Sequence, residues 1–131
     1  LAQSDQLDLS TLADGDKVIR VIRVRSLREA PVIYEVFVLP QTLFPGLGKE
    51  FEIPDHLYRF YQSQFGITVA RAEERARAVN ASAKDAAHLG IKKGTALLEI
   101  DRVAFSLDGR PVEWRVSHCD TTDYFYRAER G

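Results

Sequence analysis

The sequence predicts an α+β domain in which an antiparallel sheet is flanked by helices. Two stretches of alternating apolar and polar residues are each followed by a turn and a second such stretch, the pattern of a β-hairpin. Segments with helical spacing lie between the hairpins, and no strand–helix–strand rhythm runs along the chain. Without that rhythm a parallel sheet is not expected, so the hairpins predict an antiparallel one.

The composition restricts the class of protein. We interpret residues 1–131 as a single domain, whose apolar content of 45% is ordinary for a globular protein. No apolar run reaches the length of a membrane span and the N-terminus does not resemble a signal peptide, so we expect a cytoplasmic protein with no membrane partner. The single Cys119 excludes an internal disulfide, and a net charge of −1 gives no electrostatic reason to bind nucleic acid directly. Because the chain begins at Leu1 and has no methionine, we expect it to be a piece of a longer protein.

The first half of the chain is predicted to hold one hairpin and one helix. Asp55 is expected to cap the helix, whose apolar residues recur at helical spacing until Gly66 ends it. The other predicted bounds are residues 4–13 for a short helix or turn, 17–26 and 31–39 for the strands, and 40–48 for a loop.

The segment 67–79 is ambiguous from its sequence. Its alanine, arginine and glutamate content favours a helix, but its alanines share one parity, which favours a strand. We predict a strand, because Ser82 and Asp85 form the capping-box pattern of a helix start directly after it. The second hairpin is predicted over residues 95–119, with its turn at Asp108-Gly109.

The two hairpins resemble each other. Arg23 and Arg102 each lie eight residues after a glycine, and the second strand of each hairpin begins at a proline and then reaches Glu35 or Glu113. This repetition predicts two pseudo-equivalent halves of one sheet. Charges inside strands that bury a face need partners, and a bound ligand is one candidate.

Arg23 and Arg25 are candidate ligands for an anion. They lie two residues apart on a predicted strand, so both side chains leave the same face, roughly 6–7 Å apart. The planar guanidinium group suits a phosphate or a carboxylate. The alternative is that both arginines are solvated or paired with glutamates. Glu35 lies in an apolar row of the facing strand, so either arginine could be its partner, and it could also accept a hydrogen bond from a ligand hydroxyl.

The last predicted strand has one polar and one apolar face. Its polar face either lies half exposed to solvent or lines a cavity. The histidines and Cys119 lack metal-ligand spacing and no catalytic motif is present, so we expect no metal, no cofactor and no catalytic residues. Cys119 has no evident base partner and is expected to be a small buried hydrophobe. The polar face comprises Glu113, Arg115, Ser117 and Cys119, and the apolar face Val112, Trp114, Val116 and His118.

The chain resembles the UTRA domain, the effector-binding module of HutC-type GntR transcription regulators. The resemblance extends from about Leu9 to Arg127, and the order and spacing of its elements carry it. Those elements are Arg23-Val-Arg25, Pro31, Glu35, Leu39-Pro40, Leu57-Tyr58, the joint from Leu89-Gly90-Ile91 to Gly94, Leu97-Leu98, Arg102, and Asp108 to Glu113.

This resemblance implies a chorismate lyase-like fold with a ligand pocket, in a bacterial regulator that forms a homodimer through this module. It implies that a winged helix-turn-helix domain precedes the module and makes the contacts with DNA. A phosphorylated or carboxylated metabolite would act as effector by changing the spacing of the DNA-binding domains. In sugar-phosphate-binding relatives the corresponding arginines hold the phosphate and the glutamates contact hydroxyl or amino groups, which gives these roles to Arg23, Arg25, Glu35 and Glu113.

Two positions depart from the sugar-phosphate-binding pattern. His56 replaces a serine that helps to hold the phosphate, and Cys119 replaces a tyrosine of the pocket. Arg115, on the face of Glu113, could serve a carboxylate effector or could neutralise that glutamate. The alternatives to an effector domain are an enzyme of the same fold acting on a carboxylated metabolite, and a dimerisation module without a pocket. The predicted effector site comprises Arg23, Arg25, Glu35, His56, Glu113, Arg115 and Cys119.

Overall fold

The computed structural model describes residues 17–48 and 52–127, which form an antiparallel five-stranded sheet and two α-helices. The predicted α+β class is confirmed, while the helix or turn predicted at residues 4–13 lies outside the described residues. A 3-10 turn over Gln41–Leu43 follows the second strand. The elements are β1 (Val18–Leu27), β2 (Ala30–Pro40), α1 (Leu57–Phe65), β3 (Val69–Asn80), α2 (Ala83–Leu89), β4 (Ala96–Ser106) and β5 (Pro111–Cys119).

The strand order is β1-β2-β5-β4-β3, so the two predicted hairpins meet at the centre of the sheet. This confirms that they form two halves of one sheet, with β3 added at the outer edge of the second half. The equivalence does not extend to the charges. Arg23 lies opposite Glu35, whereas Arg102 lies opposite Arg115 and needs a partner from elsewhere.

The strand prediction for the ambiguous segment is confirmed, because β3 pairs with β4 along its length. Its alanines lie on one face of the sheet, where Ala72 and Ala76 are opposite Ala104 and Ile100. The period of the alternation therefore outweighs the helix propensity of alanine and arginine.

The two helices cover opposite faces of the sheet. Alternate residues of β2 point to each face, so Phe37 packs in the core under α1 and Tyr34 in the core under α2. Both faces of β2 are therefore buried, which explains its almost uninterrupted apolar sequence. Neither helix in the described ranges is long and apolar enough to cross a membrane.

The two helices differ in how their N-terminal ends are capped. At α2 the predicted capping box is confirmed: the amide of Asp85 donates to Ser82 Oγ at 3.1 Å, and the amide of Ser82 donates to Asp85 Oδ2 at 2.8 Å. At α1 the predicted cap by Asp55 is wrong, because the cap position is His56, whose side chain makes no capping hydrogen bond. This start is instead fixed by burial of Leu57, which is 5% exposed. Gly66 ends α1 as predicted, with φ 67°.

The face of β5 predicted to be apolar contains a buried charged cluster. His118 Nδ1 lies 2.7 Å from Asp85 Oδ1, and His118 Nε2 lies 2.9 Å from Glu99 Oε2. Arg77 Nε donates to the other oxygen of Glu99 at 2.9 Å. The prediction of an apolar face is wrong at this position, because the partners come from α2, β3 and β4 and not from neighbours in the sequence.

The β1–β2 turn stores backbone strain. Arg28 and Glu29 have φ values of 51° and 68°, the left-handed conformation that a two-residue type I′ turn requires and that glycine adopts most easily. We therefore expect Glu29→Gly to increase the free energy of unfolding by about 0.5–1 kcal/mol. Urea unfolding checks this, with Gly109→Ala (φ 82°) in the other hairpin turn as the reverse case, which should be destabilising. A lower free energy of unfolding in Glu29→Gly would contradict the inference that the backbone of Glu29 is strained.

Candidate functional site

The predicted site residues lie on the face of the sheet that carries α1. Two neighbouring cavities, of about 320 and 160 Å³, share Arg102 and Arg115 in their walls. The larger is formed with the first residues of α1 and includes His56, while the smaller is formed by the strands and includes Arg25 and Cys119. The polar face of β5 therefore lines a cavity through Arg115, Ser117 and Cys119, which is one of the two predicted alternatives.

All three nitrogens of the Arg23 guanidinium donate to protein acceptors. Its Nε and Nη2 donate to Glu35 Oε2 at 3.2 and 2.8 Å, and its Nη1 donates to the carbonyl oxygen of Pro54 at 3.2 Å. The predicted ion pair across the hairpin is thus formed, and the same guanidinium holds the segment that leads into α1. Glu35 is 3% exposed, and its other oxygen, Oε1, has no hydrogen-bond donor among the described residues.

Arg25 differs from Arg23 in having no partner. It lies opposite Ile33, where Arg23 lies opposite Glu35, and it forms no hydrogen bond or ion pair with any described residue. Its side chain is half-buried and lines the smaller cavity beside Glu35. Of the two arginines predicted to hold an anion, Arg25 is therefore the one whose charge is not paired with a carboxylate of the described residues.

Glu113 is closed off by protein partners. It is fully buried, Arg115 Nε donates to its Oε1 at 2.8 Å, and the Tyr61 hydroxyl donates to its Oε2. Burial and the neighbouring carboxylate hold the pKa of Tyr61 far above its usual value, so this hydroxyl stays a donor. Burial alone would lower the pKa of Arg115, but Glu113 and Glu35 outweigh it and raise that pKa, so the guanidinium stays charged. Arg115 was predicted either to bind a carboxylate effector or to neutralise Glu113. The structure shows the ion pair with Glu113.

The ring of Phe37 separates two guanidinium groups. Arg23 Cζ and Arg115 Cζ each lie 5.4 Å from the ring centroid, and Phe37 is completely buried. Cation–π attraction on this ring helps to fix both arginines, of which Arg115 lines both cavities and Arg23 lines neither.

Among the cavity-wall residues outside the predicted set, Arg102, Tyr58 and Tyr126 are connected by side-chain hydrogen bonds. Arg102 Nε donates to Glu74 Oε2 at 2.6 Å and its Nη1 donates to the Tyr58 hydroxyl at 3.3 Å, while the Tyr126 hydroxyl donates to Glu74 Oε1 at 2.9 Å. The hairpin repeat already singled out Arg102. Its partners lie 28 and 44 positions away, so no spacing in the sequence could have grouped them.

Cys119 and His56 complete the predicted set. Cys119 is 8% exposed, and burial, with a smaller contribution from Glu35, raises the pKa of its thiol to about 11. It is therefore a protonated, small apolar wall residue, as predicted, and not a thiolate nucleophile. His56 lines the larger cavity and Cys119 the smaller one, so the two residues do not share a cavity.

Comparison with known proteins agrees with this architecture. Residues 2–124 match the UTRA domain family. The chain is 28% identical over 97 residues to HTH-type transcriptional regulator GmuR of Bacillus subtilis, covering 74% of this chain and 40% of that protein. It is 33% identical over 61 residues to HTH-type transcriptional regulator Rv0792c of Mycobacterium tuberculosis, covering 47% of this chain and 23% of that protein. The chain thus spans less than half the length of both regulators.

Solved structures show the same fold. The ligand-binding domain of a protein assigned to the GntR family of transcriptional regulators from Bordetella bronchiseptica superposes with a TM-score of 0.81 at 35% identity, covering 89% of this chain and 76% of that one. The effector domain of PhnF from Mycobacterium smegmatis gives a TM-score of 0.79 at 26% identity, covering 87% and 70%. These relatives are transcriptional regulators and not enzymes. The chain is therefore a UTRA domain, the effector-binding domain of a GntR-family transcriptional regulator.

Proposed function

We propose that this domain binds a small metabolite carrying a phosphate or carboxylate group in the two cavities beside α1. The observation that carries the proposal is the half-buried guanidinium of Arg25, which faces the smaller cavity without a described partner. The other arginines of that cavity are each paired with a glutamate. The excess positive charge is thus concentrated where a charge-assisted hydrogen bond to an anion is strongest, in a site partly removed from water.

The surroundings of Arg25 define the rest of the ligand. Glu35 lines the same cavity, and its Oε1, which has no donor among the described residues, can accept a hydrogen bond from a hydroxyl or amino group placed next to the anion. Arg59 and His56 line the larger cavity and can contact a longer ligand. The cavities and the unpaired Arg25 argue against a dimerisation module without a pocket.

Binding would be transmitted through α1. Arg23 connects Glu35 to the Pro54 carbonyl ahead of this helix, and Tyr58 and Tyr61 connect the helix to Arg102 and Glu113. A ligand that donates to Glu35 Oε1 shares this carboxylate with Arg23, which donates to Oε2, and so changes how strongly Arg23 holds the segment ahead of α1. We infer that the regulator acts in the cytoplasm as a homodimer, binds DNA through its winged-helix domain, and responds because the ligand binds two arrangements of the dimer with different affinity.

A thermal-shift titration with glucose 6-phosphate and other phosphorylated sugars, and with succinate and other short carboxylic acids, tests the ligand class. A ligand that binds only the folded state raises the melting temperature as its concentration rises.

We expect Arg25→Ala to weaken binding of the best ligand by roughly 10- to 100-fold, because the variant loses a hydrogen bond to a charged group.

Arg110→Ala is the matched control. It removes the same side chain from the exposed β4–β5 turn, outside both cavities, and should leave ligand affinity unchanged. Wild-type affinity in Arg25→Ala would contradict the assignment of the anion site. A response to neither phosphates nor carboxylates would contradict the ligand class.

A further inference from the structure

A third cavity lies on the other face of the sheet, beside α2. Its volume is about 310 Å³, almost that of the larger cavity beside α1, and it shares no lining residue with either cavity described above. All five strands and α2 contribute to its walls. A cavity of about 300 Å³ is large enough for a small metabolite, so this face can hold a ligand of its own.

Tyr34 brings a buried hydroxyl without a partner to this cavity. The residue is 1% exposed, and its ring stacks on that of His88 with the centroids 4.2 Å apart. The hydroxyl forms no hydrogen bond with any described residue. Burial raises its pKa, and the smaller opposing effect of the Arg20 guanidinium does not reverse this shift, so the hydroxyl stays protonated and can donate. A buried donor costs free energy until an acceptor reaches it, which points to a ligand.

Two cations of the same cavity are also unpaired. Arg20 of β1 and Lys84 of α2 both line it, and neither side chain forms an ion pair with a described residue. The side-chain amide of Asn80, at the end of β3, lines it too and has no described partner. These donors come from different walls, so they suit a tetrahedral phosphate, which accepts hydrogen bonds from several directions, better than a planar carboxylate held by one guanidinium fork.

The two carboxylates of this cavity are already satisfied by the protein. Asp85 Oδ1 and Glu99 Oε2 lie 2.7 and 2.9 Å from the two ring nitrogens of His118. Asp85 Oδ2 accepts from the amide of Ser82 at 2.8 Å, and Glu99 Oε1 accepts from Arg77 at 2.9 Å. All four carboxylate oxygens thus have partners, which leaves the charges of the two unpaired cations for an anion from outside.

We propose that the cavity beside α2 is a second ligand site, which binds a phosphate group through Arg20, Lys84 and the Tyr34 hydroxyl. The group is either free phosphate or the phosphate of a small phosphorylated metabolite. Tyr34 and Glu35 are consecutive on β2 and line cavities on opposite faces of the sheet, so both sites can be occupied at once. A second ligand gives the domain an input that does not pass through the cavities beside α1.

Thermal-shift titration of Arg25→Ala tests this site in the 131-residue chain, because that variant lacks the cation proposed to hold an anion on the other face. Inorganic phosphate and glycerol 3-phosphate are the probes, with potassium chloride at equal ionic strength as the control for screening. We expect inorganic phosphate to raise the melting temperature as its concentration rises. Tighter binding of glycerol 3-phosphate would support a phosphorylated metabolite, and tighter binding of inorganic phosphate would support free phosphate.

Two further substitutions in the Arg25→Ala variant locate the site. Arg20→Ala should weaken phosphate binding roughly 10- to 100-fold, because a hydrogen bond to a charged group is lost, and Tyr34→Phe roughly 3- to 10-fold. Without phosphate, Tyr34→Phe should not lower the free energy of unfolding, because the hydroxyl has no described partner to lose. The matched controls Arg110→Ala and Tyr124→Phe lie outside this cavity and should leave phosphate affinity unchanged.

The outcomes separate this site from the one beside α1. Phosphate binding that depends on Arg20 and not on Arg25 supports the second site and contradicts the anion assignment of the first. Loss of all phosphate binding in Arg25→Ala overturns the second site and leaves the first standing. No response to phosphate beyond that to chloride, or unchanged affinity in the folded Arg20→Ala and Tyr34→Phe variants, also overturns the second site.

Discussion

Arg115→Ala is expected to lower the free energy of unfolding by about 3–5 kcal/mol, the effect of removing one partner from a buried ion pair. Glu113 is completely buried, and the only cation bonded to it in the described structure is Arg115. Once the guanidinium is gone, the carboxylate keeps only the Tyr61 hydroxyl and must either stay charged without a counterion or take up a proton. Urea unfolding at neutral pH measures the loss.

Two further variants separate this effect from lost packing. Arg110→Ala, in the exposed turn of the same hairpin, should change stability by less than about 0.5 kcal/mol. Combining Arg115→Met with Glu113→Gln removes both charges while keeping their volume and an acceptor for Tyr61, and should recover most of the loss. A loss below about 1 kcal/mol in Arg115→Ala, or no recovery in the double variant, would contradict a desolvated ion pair.

Local patterns predict the fold of this chain well. The two hairpins, the strand in the ambiguous segment and the capping box at Ser82 depend on neighbours in the sequence, and all were predicted. Which side chains of β5 share a face was also predictable, because side chains alternate strictly along a strand. Arg25 and Cys119 lie on different strands, and they meet in one cavity wall because the register places both opposite Ile33.

What the sequence could not predict is which charges are free. Arg23 and Arg25 look equivalent in the sequence, but the register of β1 against β2 places only Arg23 opposite a glutamate. A shift of one residue would move every side chain of the strand to the other face, and no local pattern reports the register. The partner of Arg102 comes from β3, so its pairing also depends on tertiary structure.

His118→Leu is expected to lower the free energy of unfolding by about 3 kcal/mol, because it leaves two buried carboxylates without the group between them. Asp85 and Glu99 are 1% and 4% exposed, and each has an oxygen within 3 Å of a different nitrogen of the imidazole ring, at 2.7 and 2.9 Å. Which of these nitrogens donates depends on the tautomer of the ring. Asp85 belongs to α2 and Glu99 to β4, so the variant also weakens the attachment of α2 to the sheet.

The pH dependence distinguishes an electrostatic role of His118 from simple packing. Burial alone would raise the pKa values of Asp85 and Glu99, but hydrogen bonds from Ser82 and His118 to Asp85, and from His118 and Arg77 to Glu99, outweigh it and lower both. Carboxylates with lowered pKa values stabilise the fold above their unfolded pKa of about 4, and this contribution is lost as the pH falls through the folded value.

The stability difference between the wild type and His118→Leu should therefore be large at pH 7 and become smaller at pH 3, where protonation of Asp85 and Glu99 removes the negative charges that the hydrogen bonds with His118 stabilise. Unfolding by urea at both pH values measures it. His88→Leu replaces an exposed histidine of α2, the helix that carries Asp85, and should lower the free energy of unfolding by less than about 1 kcal/mol at either pH. An equal loss for His118→Leu at pH 7 and pH 3 would mean that the ring acts through its volume, because a packing defect does not depend on the charge of the carboxylates around it.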